Sequence, residues 1–77
     1  MIIKVLGTGC AKCKKLEEVA RKAITESGVE ATVEKVTELD KIMDYNVMMT
    51  PALVIDEKVV SAGKLLSVSD VVKLIKG

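Results

Sequence analysis

The chain has 77 residues, the length of one small domain, and 49% of them are hydrophobic against 30% charged, an ordinary balance for a globular protein with a modest core. A net charge of +1 and a single aromatic residue, Tyr45, exclude the basic footprint and the stacking platforms that nucleic-acid binding draws on. The absence of histidine removes His-based zinc sites, Cys–His nucleophile pairs and Ser–His–Asp triads together.

Residues 2–6, Ile-Ile-Lys-Val-Leu, read as a buried strand closed by Gly7-Thr8-Gly9. A strong helix follows from about Ala11 to Ser27. Its apolar stripe is Leu16, Val19, Ala20, Ala23 and Ile24, and Gly28 is its stop signal. Residues 29–36 alternate apolar and polar, the pattern of a strand with one solvated face. Thr37 is placed to cap a short helix from about Glu38 to Tyr45, with Leu39, Ile42 and Met43 inward and Asn46 ending it in the left-handed conformation. Ala52-Leu53-Val54-Ile55 is a continuous apolar run and reads as a buried strand. Asp56-Glu57-Lys58 turns the chain, and Val59-Val60-Ser61-Ala62 returns as a hairpin partner that Gly63 breaks. Ser67 opens the last helix with Asp70 three residues on, as in a capping box, and Val71, Val72, Leu74 and Ile75 form its buried face.

The order is β-α-β-α-β-β-α. The first two βα connections imply parallel strands and the last two strands an antiparallel hairpin. The expected fold is a single α/β domain over 1–77, a four-stranded mixed sheet with three helices distributed over both faces. The apolar runs are too short to span a bilayer, and the first residues are too short and wrongly flanked for a signal peptide. The expected location is the cytoplasm.

Chemistry concentrates at Cys10-Ala11-Lys12-Cys13, which follows the first strand and opens the first helix. Cys10 falls near the helix N-cap, where unpaired N–H groups and the macrodipole favour an anion, and a thiolate is such an anion. Lys12, Lys14 and Lys15 add positive charge. Both effects lower the pKa of Cys10 and make it the nucleophile, with Lys12 as a tuning residue. Cys13 lies one turn further in and is placed to attack a mixed disulfide formed at Cys10. A structural disulfide is a poor explanation, because a bridge closing so short a loop removes little unfolded-state entropy. Two thiolates this close also suit copper(I) or zinc, so the spacing alone leaves redox and metal chemistry side by side.

Thr50-Pro51 discriminates between them. Alone it reads as a plain strand-start proline, which has no N–H to give to the ladder. Beside the cysteines, a cis bond there would place the Thr50 backbone next to Cys10, where an extended substrate could pair with it. Met48 and Met49 either fill the loop or form a soft rim for docking protein substrates, with Met49 beside Thr50 in the groove.

The strand–Gly–CxxC–helix opening, the segment from Tyr45 to Leu53, the closing hairpin and Gly63 resemble the thioredoxin/glutaredoxin superfamily over essentially the whole chain. Gly-Thr-Gly-Cys-Ala-Lys-Cys is most similar to the minimal glutaredoxin-sized thioredoxins of archaea and bacteria. The resemblance implies a minimal thioredoxin fold and thiol–disulfide exchange. Cys10 is then the attacking thiol, Cys13 the resolving thiol and Pro51 the cis-proline. It implies no cofactor beyond a redox-active Cys10–Cys13 disulfide. The implied partners are disulfide-containing protein substrates and a thioredoxin-reductase-like electron donor, with no nucleic acid or membrane insertion and a monomeric state. The alternative is a copper(I) metallochaperone of the heavy-metal-associated type. Such domains are of similar length and place CxxC after their first strand, but their order is β-α-β-β-α-β and they usually carry Met where this chain has Thr8. A third possibility is a non-enzymatic module serving a transporter or a reductase.

Overall fold

The computed structural model describes residues 1–9 and 11–76. Its elements are β1 (Ile2–Leu6), α1 (Ala11–Ser27), β2 (Thr32–Val36), α2 (Leu39–Asp44), β3 (Ala52–Ile55), β4 (Lys58–Ala62) and α3 (Val68–Lys76). The sheet runs β2-β1-β3-β4, so β1 and β3 are central and β2 and β4 form the edges. The all-apolar β3 is buried at every residue, as a central strand covered on both faces must be.

β1 and β2 are parallel, with Ile2 opposite Thr32 and Leu6 opposite Val36, as the crossover through α1 requires. The second connection does not give a parallel strand. β3 runs antiparallel to β1, with Leu6 opposite Ala52 and Ile3 opposite Ile55. The cause is length. α2 has six residues and covers about 9 Å at ~1.5 Å per residue, whereas a five-residue strand spans about 17 Å. The chain therefore leaves β2 and enters β3 at the same end of the sheet, since Val36 and Ala52 both oppose Leu6.

The β3–β4 hairpin turns on Asp56 and Glu57, both with left-handed φ of 48° and 68°, and Lys58 already pairs with Ile55 in the ladder. Asp56 ties the turn to the start of β1: its N–H donates to the Ile2 carbonyl (2.9 Å) and its Oδ1 accepts from the Ile2 N–H (3.0 Å).

The helices bury what their stripes predict, with exceptions. In α1, Leu16, Ala20 and Ala23 are fully buried, and the Gly28 N–H closes the helix on the Ile24 carbonyl. In α3 the capping box is reciprocal: the Asp70 N–H donates to Ser67 Oγ (3.2 Å) and the Ser67 N–H to Asp70 Oδ2 (3.3 Å). Leu74, expected inside, is partly exposed, while Val71 and Ile75 are buried. α2 is capped at Glu38 rather than Thr37, with no side-chain cap bond. It buries only Ile42, leaving Leu39 and Met43 mostly exposed because nothing packs over that stripe.

Two cores result. Ile3, Val5, Leu53 and Ile55 pack under α1 and α3, with Leu16, Ala20, Ala23, Val71 and Ile75. Leu6, Ala52 and Val54 pack with Ile42 on the α2 side.

Candidate active site

The site is built at the end of the sheet where β1 stops and β3 starts. Gly7 continues β1, and its N–H donates to the Val36 carbonyl (2.9 Å), fixing the strand end to β2. Gly7 has no side chain because none fits. A Cβ there would overlap the Cys13 Sγ, stand 3.0 Å from the Cys13 Cβ, and lie 3.9 Å from the Thr50 Cβ. The Cβ position of Gly7 thus lies within 4 Å of both the Cys13 and the Thr50 side chains.

Cys13 sits in the first turn of α1, only 6% exposed. It lines a small cleft of about 50 Å³ together with Val5, Gly7, Lys14, Lys35 and Thr37. Cys10 lies outside the described residues, so its expected exposure and its role rest on the sequence. Lys12 is exposed on the same turn of α1.

The Thr50-Pro51 peptide bond is cis. Pro51 is fully buried, and its carbonyl accepts the Gly63 N–H (2.9 Å), which anchors the loop to the end of β4. Thr50 is exposed beside it. Met49 (64% exposed) folds its side chain over Gly63, where a Cβ would meet its Cβ at 3.0 Å, its Cε at 3.2 Å and its Sδ at 3.3 Å. With φ of +75° as well, position 63 takes glycine on two independent grounds. Met48 is 95% exposed. Met48, Met49 and Thr50 are thus exposed together just before the buried Pro51.

Three features here had no counterpart in the sequence reading. Lys35 faces α1 and joins the cleft of Cys13, a position signalled only by the break in β2 alternation at Glu34-Lys35. The close approach of Cys13 to Gly7 is a tertiary fact. Tyr45 packs against the α2-side core with Val36 and Val47, and its hydroxyl joins a charged cluster on that face. There the Lys4 Nζ donates to Tyr45 Oη (2.9 Å) and Glu57 Oε1 (2.7 Å), and the Tyr45 hydroxyl donates to Glu57 Oε2 (3.1 Å). Those bonds hold the Glu57 carboxyl below its ordinary range and the Lys4 ammonium above its own. The hollow beside this cluster is larger, about 550 Å³, and carries charges of both signs, with Lys35 among its lining residues, but neither Cys13 nor Pro51 borders it. Cys13 borders the smaller cleft.

The four-stranded mixed sheet and the three helices are those of a minimal thioredoxin fold, and the chain matches the family model for the thioredoxin domain over residues 1–76. It is 36% identical over 75 residues to a thioredoxin of Methanothermobacter thermautotrophicus, covering 97% of each chain. It is 36% identical over 76 residues to a thioredoxin of Methanocaldococcus jannaschii, covering 99% of this chain and 87% of the relative. The protein belongs to the thioredoxin domain family. No helix among the described residues is long and apolar enough to cross a membrane. The element order ends in α3, unlike the strand-terminated order of heavy-metal-associated domains.

Proposed function

We propose that this chain is a dithiol oxidoreductase that reduces protein disulfides through Cys10 and Cys13. The observation that carries the reading is the burial of Cys13 against Gly7, on the same strand end as Thr50, in a chain of the thioredoxin domain family. The Cys10 thiolate attacks a substrate disulfide. A bond forms between the Cys10 sulfur and one substrate sulfur, and the other substrate sulfur leaves as a thiolate. The Cys13 sulfur then attacks the Cys10 sulfur. The Cys10–Cys13 disulfide forms, the second substrate thiol is released, and two electrons have passed to the substrate. A thioredoxin-reductase-like donor returns two electrons and two protons.

The remaining groups serve this exchange. Lys12, at the start of α1, joins the helix N-terminus in favouring the thiolate. The Thr50 backbone offers the main-chain partners that an extended substrate segment takes up on docking, and Met49 offers its thioether surface to that segment's apolar side chains. A deformable methionine rim suits many protein substrates rather than one small molecule. No cofactor beyond the two sulfurs is required. The chain acts as a single domain, a monomer of the cytoplasm.

The test is mutational. Cys13→Ser accumulates mixed disulfides with protein substrates, and Cys10→Ser neither reduces them nor traps them. Reduction of a protein disulfide by Cys10→Ser would reverse the assignment of roles.

A further inference from the structure

The central strand β1 reads Ile-Ile-Lys-Val-Leu, apolar at every position but Lys4. The Lys4 side chain is only 20% exposed, and its ladder partner Val54 is buried in the α2-side core. An apolar residue at this position would widen that small core of Leu6, Ile42, Ala52 and Val54. A partly enclosed ion pair is seldom worth more than the apolar packing it displaces, so core stability alone does not account for the lysine. The exchange scheme leaves it unused.

What Lys4 holds is Tyr45. Its Nζ donates to Tyr45 Oη at 2.9 Å and to Glu57 Oε1 at 2.7 Å, and the Tyr45 hydroxyl donates to Glu57 Oε2 at 3.1 Å. The three groups close a ring of hydrogen bonds between β1, the C-cap of α2 and the β3–β4 turn. α2 has little else to fix it, since it buries only Ile42 and its N-cap makes no side-chain bond.

From Tyr45 the chain runs through residues 46–50 to Pro51. The downstream end of this segment is held at Gly63, whose N–H donates to the Pro51 carbonyl at 2.9 Å and over which Met49 folds. Within it the Asn46 N–H donates back to the Met43 carbonyl at 2.9 Å and Val47 packs on the α2-side core, while Met48, Met49 and Thr50 are exposed.

We propose that Lys4, Tyr45 and Glu57 anchor the upstream end of segment 46–50, and that Lys4 and Tyr45 are thereby positioning residues for protein substrates docking at Thr50. The inference rests on the dithiol reading for its substrate and adds residues remote from the sulfurs. A segment held at both ends samples fewer conformations before a substrate arrives, so docking has less chain to order. The tyrosine divides its work: the ring packs with Val36 and Val47, and the hydroxyl joins the anchor.

Tyr45→Phe separates the two roles, because it keeps the ring and removes the bonds to Lys4 and Glu57. The first readout is amide hydrogen exchange, which needs no activity. Exchange across 46–50 is expected to quicken about 3- to 10-fold, the factor that one net hydrogen bond converts to, while the amides of α1 keep their rates. The second readout is steady-state reduction of insulin, a protein disulfide substrate. Its half-saturating concentration is expected to rise by a similar factor with the maximal rate little changed. Thiolate release from dithiobis(nitrobenzoate), a small disulfide with no chain to dock, keeps its rate. Lys4→Met is expected to repeat the pattern. Unchanged exchange across 46–50 in Tyr45→Phe, an unchanged half-saturating concentration, or equal slowing on insulin and on the small disulfide overturns the proposal while leaving the dithiol scheme standing. An unaltered protein that reduces neither disulfide overturns the dithiol scheme, and with it the docking role, whatever the exchange rates show of the anchor.

Discussion

Under α1 and α3 the sheet buries Ile3, Val5, Leu53 and Ile55 beneath two helices that supply five more buried side chains; on the opposite face Leu6, Ala52 and Val54 lie beneath a six-residue helix that supplies one, Ile42. The first face is closed and apolar. The second is half open, and its central position, Lys4, is charged and tied to Tyr45 and Glu57. A chain this short cannot close both faces equally, and it concentrates burial on one. The thiol site lies where the sheet ends, with Cys13 delivered by the closed face and Thr50-Pro51 by the loop that follows the open one.

Substitutions sharpen this contrast. Leu53→Ala, at a fully buried residue of the closed face, is expected to cost ~4 kcal/mol, a large share of the roughly 4–12 kcal/mol that a domain of this size holds. Ile42→Ala on the open face is expected to cost less, about 2 kcal/mol, since fewer atoms surround it and the site can relax. Chemical denaturation of the pair gives the ratio directly, and equal losses would break the comparison. Gly7→Ala, at the junction of the two faces, pushes a methyl into Cys13. It is expected to cost ~1–2 kcal/mol and to slow resolution by Cys13 more than attack by Cys10, as read by stopped-flow thiolate release.

Smaller effects follow at the surface. Ser67→Ala removes one half of the α3 capping box and is expected to cost ~1 kcal/mol by denaturation. The Lys4–Glu57 pair is exposed and affects pH dependence more than midpoint stability. The folded-state pKa of Glu57 lies below its ordinary 4.5, chiefly through the Lys4 hydrogen bond. Its contribution is therefore present above pH 4.5 and is lost as pH falls through the folded-state value. Glu57→Gln is expected to be slightly less stable than the unaltered protein near neutrality and to lose stability less steeply below pH 4.5, as read by acid titration.

Much of this was legible in the sequence, for physical reasons that differ by element. α1 declares itself through seventeen residues of helical period, α3 through a Ser67–Asp70 box whose bonds are local, and β3 through an unbroken apolar run. The direction of β3 was not legible in the connection rule, because that rule assumes a crossover long enough to return the chain and α2 is too short. Leu39 and Met43 misled for the same reason: a helical period marks an apolar stripe, and whether anything covers it is a tertiary matter. At the site, the spacing and helix placement pointed to Cys13, and the apolar run after it pointed to Pro51. Lys35 was invisible, since its meaning depends on β2 lying beside β1 in a register that brings it to Glu17 and the Cys13 cleft.

The most direct measurement is peptide mapping of the covalent adduct formed when Cys13→Ser meets a disulfide-containing protein under mildly alkaline conditions. The expected result is a single substrate chain joined through Cys10, with an equal amount of free substrate thiol, and full conversion to a Cys10–Cys13 disulfide when the unaltered protein is used instead. A substrate chain joined through Cys13 in Cys10→Ser at a comparable rate, or a substrate disulfide left intact by the unaltered protein, would contradict the division of labour between the two cysteines.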